Sequence, residues 1–178
     1  MLRDGHLGIS LLLFAPIGFV MLGFAPLELI VIAGVATLAG AGTPDLDTKT
    51  SLVKHRGFTH TIWFSLLYGV AVAGFTFVSP DVFGFSNFQS FSVGQAILAG
   101  CFGAFGVLTH LAGDVITPRG IKPFDPVTPR EVLPVQVSDK KYCYEMTKAD
   151  DKTANSIALG IGSLAIAVAA SAGAYVFL

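Results

Sequence analysis

Residues Leu7 to Ala25 read LGISLLLFAPIGFVMLGFA, nineteen positions without a charge. Inside a bilayer every backbone N–H and C=O must be satisfied within the segment, so a stretch of this length and apolarity folds as a membrane-spanning helix. Its flank, MLRDG, has a weak basic character, which favours a retained span over a cleaved secretory signal. Four further apolar runs follow: 27–42, 61–78, 93–111 and 154–178. Pro26 marks a tight turn between the first two, and the shorter second run suits a tilted return. Composition agrees with this reading. Hydrophobic residues make up 53% and charged residues 13%, against about 25% charged in a soluble domain. Such a chain cannot dress a water-facing surface, which excludes a disordered protein, a basic nucleic-acid-binding domain and an ordinary cytosolic enzyme.

The expected fold is all-α: a single integral membrane domain over 1–178, a polytopic transmembrane bundle of about five spans at approximately 7–25, 27–42, 61–78, 93–111 and 154–178. A polar segment, 112–153, separates spans four and five and carries Pro118, Pro123, Pro126, Pro129 and Pro134, so it is not one regular helix. Gly100, Gly103 and Gly106 in the fourth run recur every three residues and put small side chains on one face, where another helix, or a second copy in a homodimer, can approach. Cys101 and Cys143 match neither a disulfide framework nor a zinc signature.

Charge placement orients the bundle. All 11 Lys and Arg residues lie before run one, between runs two and three, or between runs four and five. The opposite side holds Glu28 and Asp81 and no basic residue. The positive-inside rule then puts the N-terminus and the polar segment in the cytoplasm and the C-terminus outside a cell membrane.

On that same side fall all four histidines, His6, His55, His60 and His110, with Asp45, Asp47 and Asp114. An extended Asp45-Leu46-Asp47 puts both carboxylates on one side. Gly57 lets the chain turn before the third run, and Thr59 is a candidate cap with His60 in the first helical turn. His110 and Asp114 are four apart and share a helix face. They can hold one cation together, or form a plain hydrogen-bonded pair. Lys54, His55 and Arg56 can instead face anionic lipid. Neutral imidazoles and carboxylates without thiolates suit a divalent ion, Zn²⁺, Mn²⁺ or Fe²⁺. Clustered ions lower the pKa of a water and neutralise phosphoryl oxygens. Arg119 and Lys122 in TPRGIKPFDP are candidate clamps for a phosphate or lipid headgroup.

PDLD at 44–47, HRGFTH at 55–60, HLAGD at 110–114 and TPRGIKPFDP at 117–126, with the early GHLG, resemble the YdjM-like family of LexA-binding, inner-membrane-associated metal-dependent hydrolases. A more distant likeness runs to zinc-dependent phospholipase C and related zinc nucleases. The resemblance implies His110 and Asp114 as metal ligands. Asp45 or Asp47, His55 or His60, and His6 are its further candidates. With no histidine after His110, one or two ions are expected rather than three, zinc first among them, with Asp125 as an extra carboxylate.

The expected function is hydrolysis of a phosphoester or lipid headgroup by metal-activated water, with Asp47 or Asp114 accepting the proton. A non-catalytic scaffold that binds a cytoplasmic protein is the alternative, and a transporter is a third reading. Residues 119–152 carry seven basic and six acidic side chains, which argues against direct nucleic-acid binding. The sharpest expectation is geometric: His6, Asp45 or Asp47, His55 or His60, His110 and Asp114 converge at one membrane edge.

Overall fold

In a computed structural model of the chain, the described residues are 1–49, 56–82, 92–118, 120–125 and 148–177. They form five α-helices: α1 (Arg3–Met21), α2 (Leu27–Gly42), α3 (Ile62–Val82), α4 (Val93–Val115) and α5 (Lys152–Phe177). Two short 3-10 helices, Pro44–Lys49 and Phe58–His60, lie between α2 and α3. The molecule is an all-α membrane bundle. By length and composition four of its helices can cross a bilayer: α1, α2 with its extension to Thr48, α4 and α5. The described apolar stretch of α3, Ile62–Val78, is shorter. Of the expected Pro-rich segment 112–153, residues 119 and 126–147 lie outside the described residues.

The outward faces are apolar. Val31, Val35, Leu66, Val70, Leu164 and Val168 are all exposed. A water-soluble protein could not carry so much apolar surface without associating, whereas acyl chains solvate it.

With no hydrophobic drive between helices in lipid, close packing of small residues holds them together. α4 lies between α2 and α3, while α1 reaches α2 and α4 and packs along α5. A methyl group at Gly106 would strike the backbone of Thr37 on α2, and one at Gly100 would strike the backbone of Gly69 on α3. Gly100, Gly103 and Gly106 of α4 therefore do not serve one partner. Each three-residue step falls short of a full turn, so the stripe rotates by about 120° over two steps and passes from α3 to α2. Gly8 and Gly162 form the equivalent seam between α1 and α5. Toward the α1–α2 turn, Phe14 meets Phe102 edge to face at a centroid distance of 5.5 Å, among Met21, Leu29 and Ala33.

Two helix limits decide where the histidines and Asp114 fall. α1 starts at Arg3, so His6 lies within its first turns. α4 continues to Val115, beyond the expected end of that span at 111, and so carries both His110 and Asp114. The start of α1, the end of α2, the start of α3, the end of α4 and the start of α5 belong to the same end of an alternating bundle.

Candidate metal centre

Five side chains from four chain segments meet at that end: His6 of α1, Asp45 of the first 3-10 helix, His60 of the second, and His110 and Asp114 of α4. The three imidazoles and Asp114 are each no more than 1% exposed. Asp45, one third exposed, faces the opening.

Hydrogen bonds set the direction in which each ring presents its lone pair. His110 Nδ1 lies 2.7 Å from the carbonyl oxygen of Ala41 at the end of α2. A carbonyl can only accept, so Nδ1 carries the proton and Nε2 offers a lone pair. His60 Nδ1 faces Thr59 Oγ1 at 3.1 Å and Asp47 Oδ2 at 3.4 Å. The Thr59 hydroxyl donates to Asp47 Oδ2 at 2.8 Å, so the remaining proton of this trio belongs to His60 Nδ1, and His60 Nε2 also turns a lone pair inward.

The two Nε2 atoms are 3.3 Å apart. Asp114 Oδ2 lies 3.4 Å from His60 Nε2 and 3.7 Å from His110 Nε2. Asp45 Oδ1 is 3.7 Å from each of the same nitrogens. Asp114 Oδ2 has no hydrogen-bond donor among the described residues. Buried acceptors gathered this closely repel one another unless a cation, a metal ion or a proton, lies among them. Donor atoms around a tetrahedral ion at 2.0–2.2 Å are about 3.3–3.6 Å apart, close to the 3.3–3.7 Å found here. His6 stacks on His110 with centroids 3.7 Å apart, and its Nε2 is 3.4 Å from Asp114 Oδ1. Neither His6 ring nitrogen has a hydrogen-bond partner among the described residues. The donor atoms form two candidate ion-binding groups that share one ring: His6, Asp45 and His110, and His60, His110 and Asp114.

Asp114 sits at the C-terminal end of α4, where the helix dipole disfavours a negative charge. Its Oδ1 is compensated by Arg56 Nη2 at 3.1 Å and by the Met1 amino group at 2.8 Å. One carboxylate oxygen is thus held by cations and the other is directed at the imidazoles.

Two local expectations are corrected. Residues 44–49 form a 3-10 helix, so Asp45-Leu46-Asp47 is not extended, and positions two apart on such a helix diverge. Asp45 therefore points into the cluster, while Asp47 lies behind His60, buried, and accepts from the Arg56 backbone N–H at 3.2 Å as well as from Thr59. The cap of α3 is Thr61, whose Oγ1 accepts from the Phe64 N–H at 3.2 Å, and not Thr59. Lys122 and Asp125 are exposed. His55 and Arg119 lie outside the described residues. Arg56, read from sequence as a topology-setting charge, is in contact with the cluster. Its place between a histidine and Gly57, in a turn flanked by candidate ligands, was the available signal.

Fold and site together define a polytopic α-helical membrane protein with a buried histidine–carboxylate cluster at one end of the bundle. A family model described as YdjM inner membrane protein matches residues 1–177, and the chain belongs to that family. No curated protein matches the chain, and no solved structure does.

Proposed function

We propose that the protein is a membrane-embedded, metal-dependent hydrolase of phosphoesters, with its centre at the cytoplasmic face. The convergence of two imidazole lone pairs, Asp114 Oδ2 and Asp45 Oδ1 on one small volume carries this reading. His60, His110 and Asp114 would hold a first ion, with Asp45 available to it from the open side. His6 with Asp45 and His110 offers a second position. The all-nitrogen-and-oxygen donor set and the close spacing favour zinc.

A divalent ion held there would lower the pKa of water and offset charge on a phosphoryl group. The protein's own groups supply the rest. Ala41 and Asp47 fix the tautomers of His110 and His60. Asp45, facing the opening, is the carboxylate placed to accept a proton from the attacking water. Asp47, covered by His60 and Thr59, acts as a positioning residue instead. Desolvation of the three rings keeps bulk water from competing for the donor atoms.

The topology belongs to the same proposal. α3 completes five spans, its exposed Leu66, Leu67, Val70 and Phe75 facing lipid. The N-terminus is cytoplasmic and the C-terminus outside, as the basic loops require. Placed there, the site meets phosphoesters of the cytoplasm and of the inner lipid leaflet.

The test is metal analysis of the purified protein, followed by assay of phosphodiester and phosphomonoester hydrolysis. The expected result is about one or two ions per chain, with ion and activity both lost in His110→Ala. A protein that purifies without metal and takes up none on dialysis against zinc would overturn the proposal.

A further inference from the structure

Arg56 is the one non-glycine residue with a left-handed backbone among the described residues, at φ 59°. A side chain with a Cβ resists this conformation, and residues held in it tend to occur where function over-determines the backbone. Gly57, its neighbour, would adopt it freely, yet the chain places the strain on the arginine. Two contacts hold it there: its backbone N–H donates to Asp47 Oδ2, and its Nη1 donates to the Gly120 carbonyl at 2.8 Å.

The guanidinium is half engaged. Nη2 reaches Asp114 Oδ1, but Nε is buried without a hydrogen-bond partner among the described residues. Nε and Nη2 form the edge of the fork that matches two oxygens of a carboxylate or phosphate. Here one tooth of that edge is shared with a candidate metal ligand and the other is vacant. An unmet buried N–H is costly, so an acceptor oxygen brought to it would be stabilised.

Arg56 also lines a cavity of about 350 Å³ together with Asp45, Pro118 and Lys148. This cavity, hereafter the vestibule, adjoins the cluster through Asp45, which forms part of its wall and, from the same position, approaches His60 and His110. Among the described residues, those on it that carry a cation are Arg56, Lys148 and Met1, whose amino group is engaged by Asp114 Oδ1, and the carboxylates are Asp45 and Asp150. Asp45 loses its repulsion toward an anion once it shares a divalent cation.

We propose that Arg56 is the oxyanion-binding residue of the site, and that the vestibule receives a phosphoryl group with one oxygen on Arg56 Nε and another toward the histidine–aspartate cluster. This rests on the metal-centre reading for its chemistry, and replaces Lys122 as the residue that recognises phosphate. The ligand is a tetrahedral phosphate monoester or diester. A lipid headgroup and a soluble phosphoester share that chemistry.

The experiment titrates inorganic phosphate into the full-length, zinc-dialysed protein by calorimetry, with metal content measured on the same samples. Arg56→Gln is expected to weaken phosphate binding at least about tenfold, the loss of a charge-assisted contact, with metal content unchanged. Arg56→Lys retains the charge without the fork and should fall between. Equal phosphate affinity in wild type and Arg56→Gln overturns the proposal while leaving the metal centre intact. Loss of phosphate strictly in step with loss of metal also overturns it, because Arg56 then acts only by steadying Asp114. If the wild type holds no metal, the hydrolase reading fails separately. Phosphate that still binds, and is lost in Arg56→Gln, then upholds Arg56, and phosphate that does not bind overturns it. Competition by glycerol 3-phosphate or by detergent-dispersed phosphatidic acid upholds the site and tells a soluble source from a lipid one. Displacement by neither overturns it.

Discussion

His110 on α4 and Ala41 at the end of α2 are joined by a 2.7 Å contact between imidazole Nδ1 and carbonyl oxygen. The contact uses an otherwise unsatisfied helix-end carbonyl to fix the ring's tautomer, so the last turn of one span aims the donor atom of another. The seam between these helices must therefore be correct before the site can be.

That dependence gives the first prediction. Gly106→Val puts methyl groups against the Thr37 backbone. We expect about 1–3 kcal/mol of destabilisation, the usual range for overpacking. Reversible unfolding in mixed micelles measures it, and metal content should fall with it because Ala41 is drawn away from His110.

Gly113→Ala is expected to act on one residue rather than on the fold. Its new methyl would lie 2.7 Å from His6 Nδ1 and displace the ring from its stack on His110. Helical content should be retained while the second ion position is lost. Metal stoichiometry read beside circular dichroism distinguishes this outcome from general misfolding.

Asp47 and Asp45 should separate in a chelator competition. Asp47→Ala leaves every proposed donor atom in place but frees His60 to rotate, so zinc affinity should drop about 10–100-fold without vanishing. Asp45→Ala removes a proposed donor and the proton acceptor, and should abolish hydrolysis. Equal, small effects of both changes would contradict the roles assigned to them.

Acidification should release the metal. Imidazole must be neutral and carboxylate ionised to bind, so protons compete with the ion at every donor, and affinity falls as pH falls. Because folded protein alone presents the complete set, the ion stabilises the fold by mass action. Melting temperature with zinc present should therefore decline toward the metal-free value as pH is lowered, and chelator at neutral pH should reproduce the low-pH melt.

The helices were legible in the sequence because each is an uninterrupted apolar run, and the grouping of His6, His60, His110 and Asp114 near one edge followed from the charge map together with the family motifs. What escaped the sequence is local backbone direction. Asp45 and Asp47 could not be told apart while the turn was read as extended, since a 3-10 helix sends their side chains different ways. Thr59 looked like a cap because threonine before an apolar run commonly is one, but the cap is Thr61 and Thr59 is engaged by Asp47. Arg56 was hidden by its own charge: a basic residue in a loop satisfies the positive-inside pattern, and nothing in spacing reveals that its guanidinium folds back onto Asp114.

α5 contributes none of the five clustered side chains, yet Lys148 and Ala149 just ahead of it wall the vestibule, and Asn155 ties it to α1 by accepting from the Leu2 N–H at 3.0 Å. During synthesis this creates a sequence of events. His6 emerges early and waits through more than a hundred residues for Asp114. By then all five side chains exist, but the chamber beside them still lacks a wall. The segment that leads into α5 is thus the one that gives a bare cluster its half-open antechamber, so the cluster can gather before the space beside it is bounded.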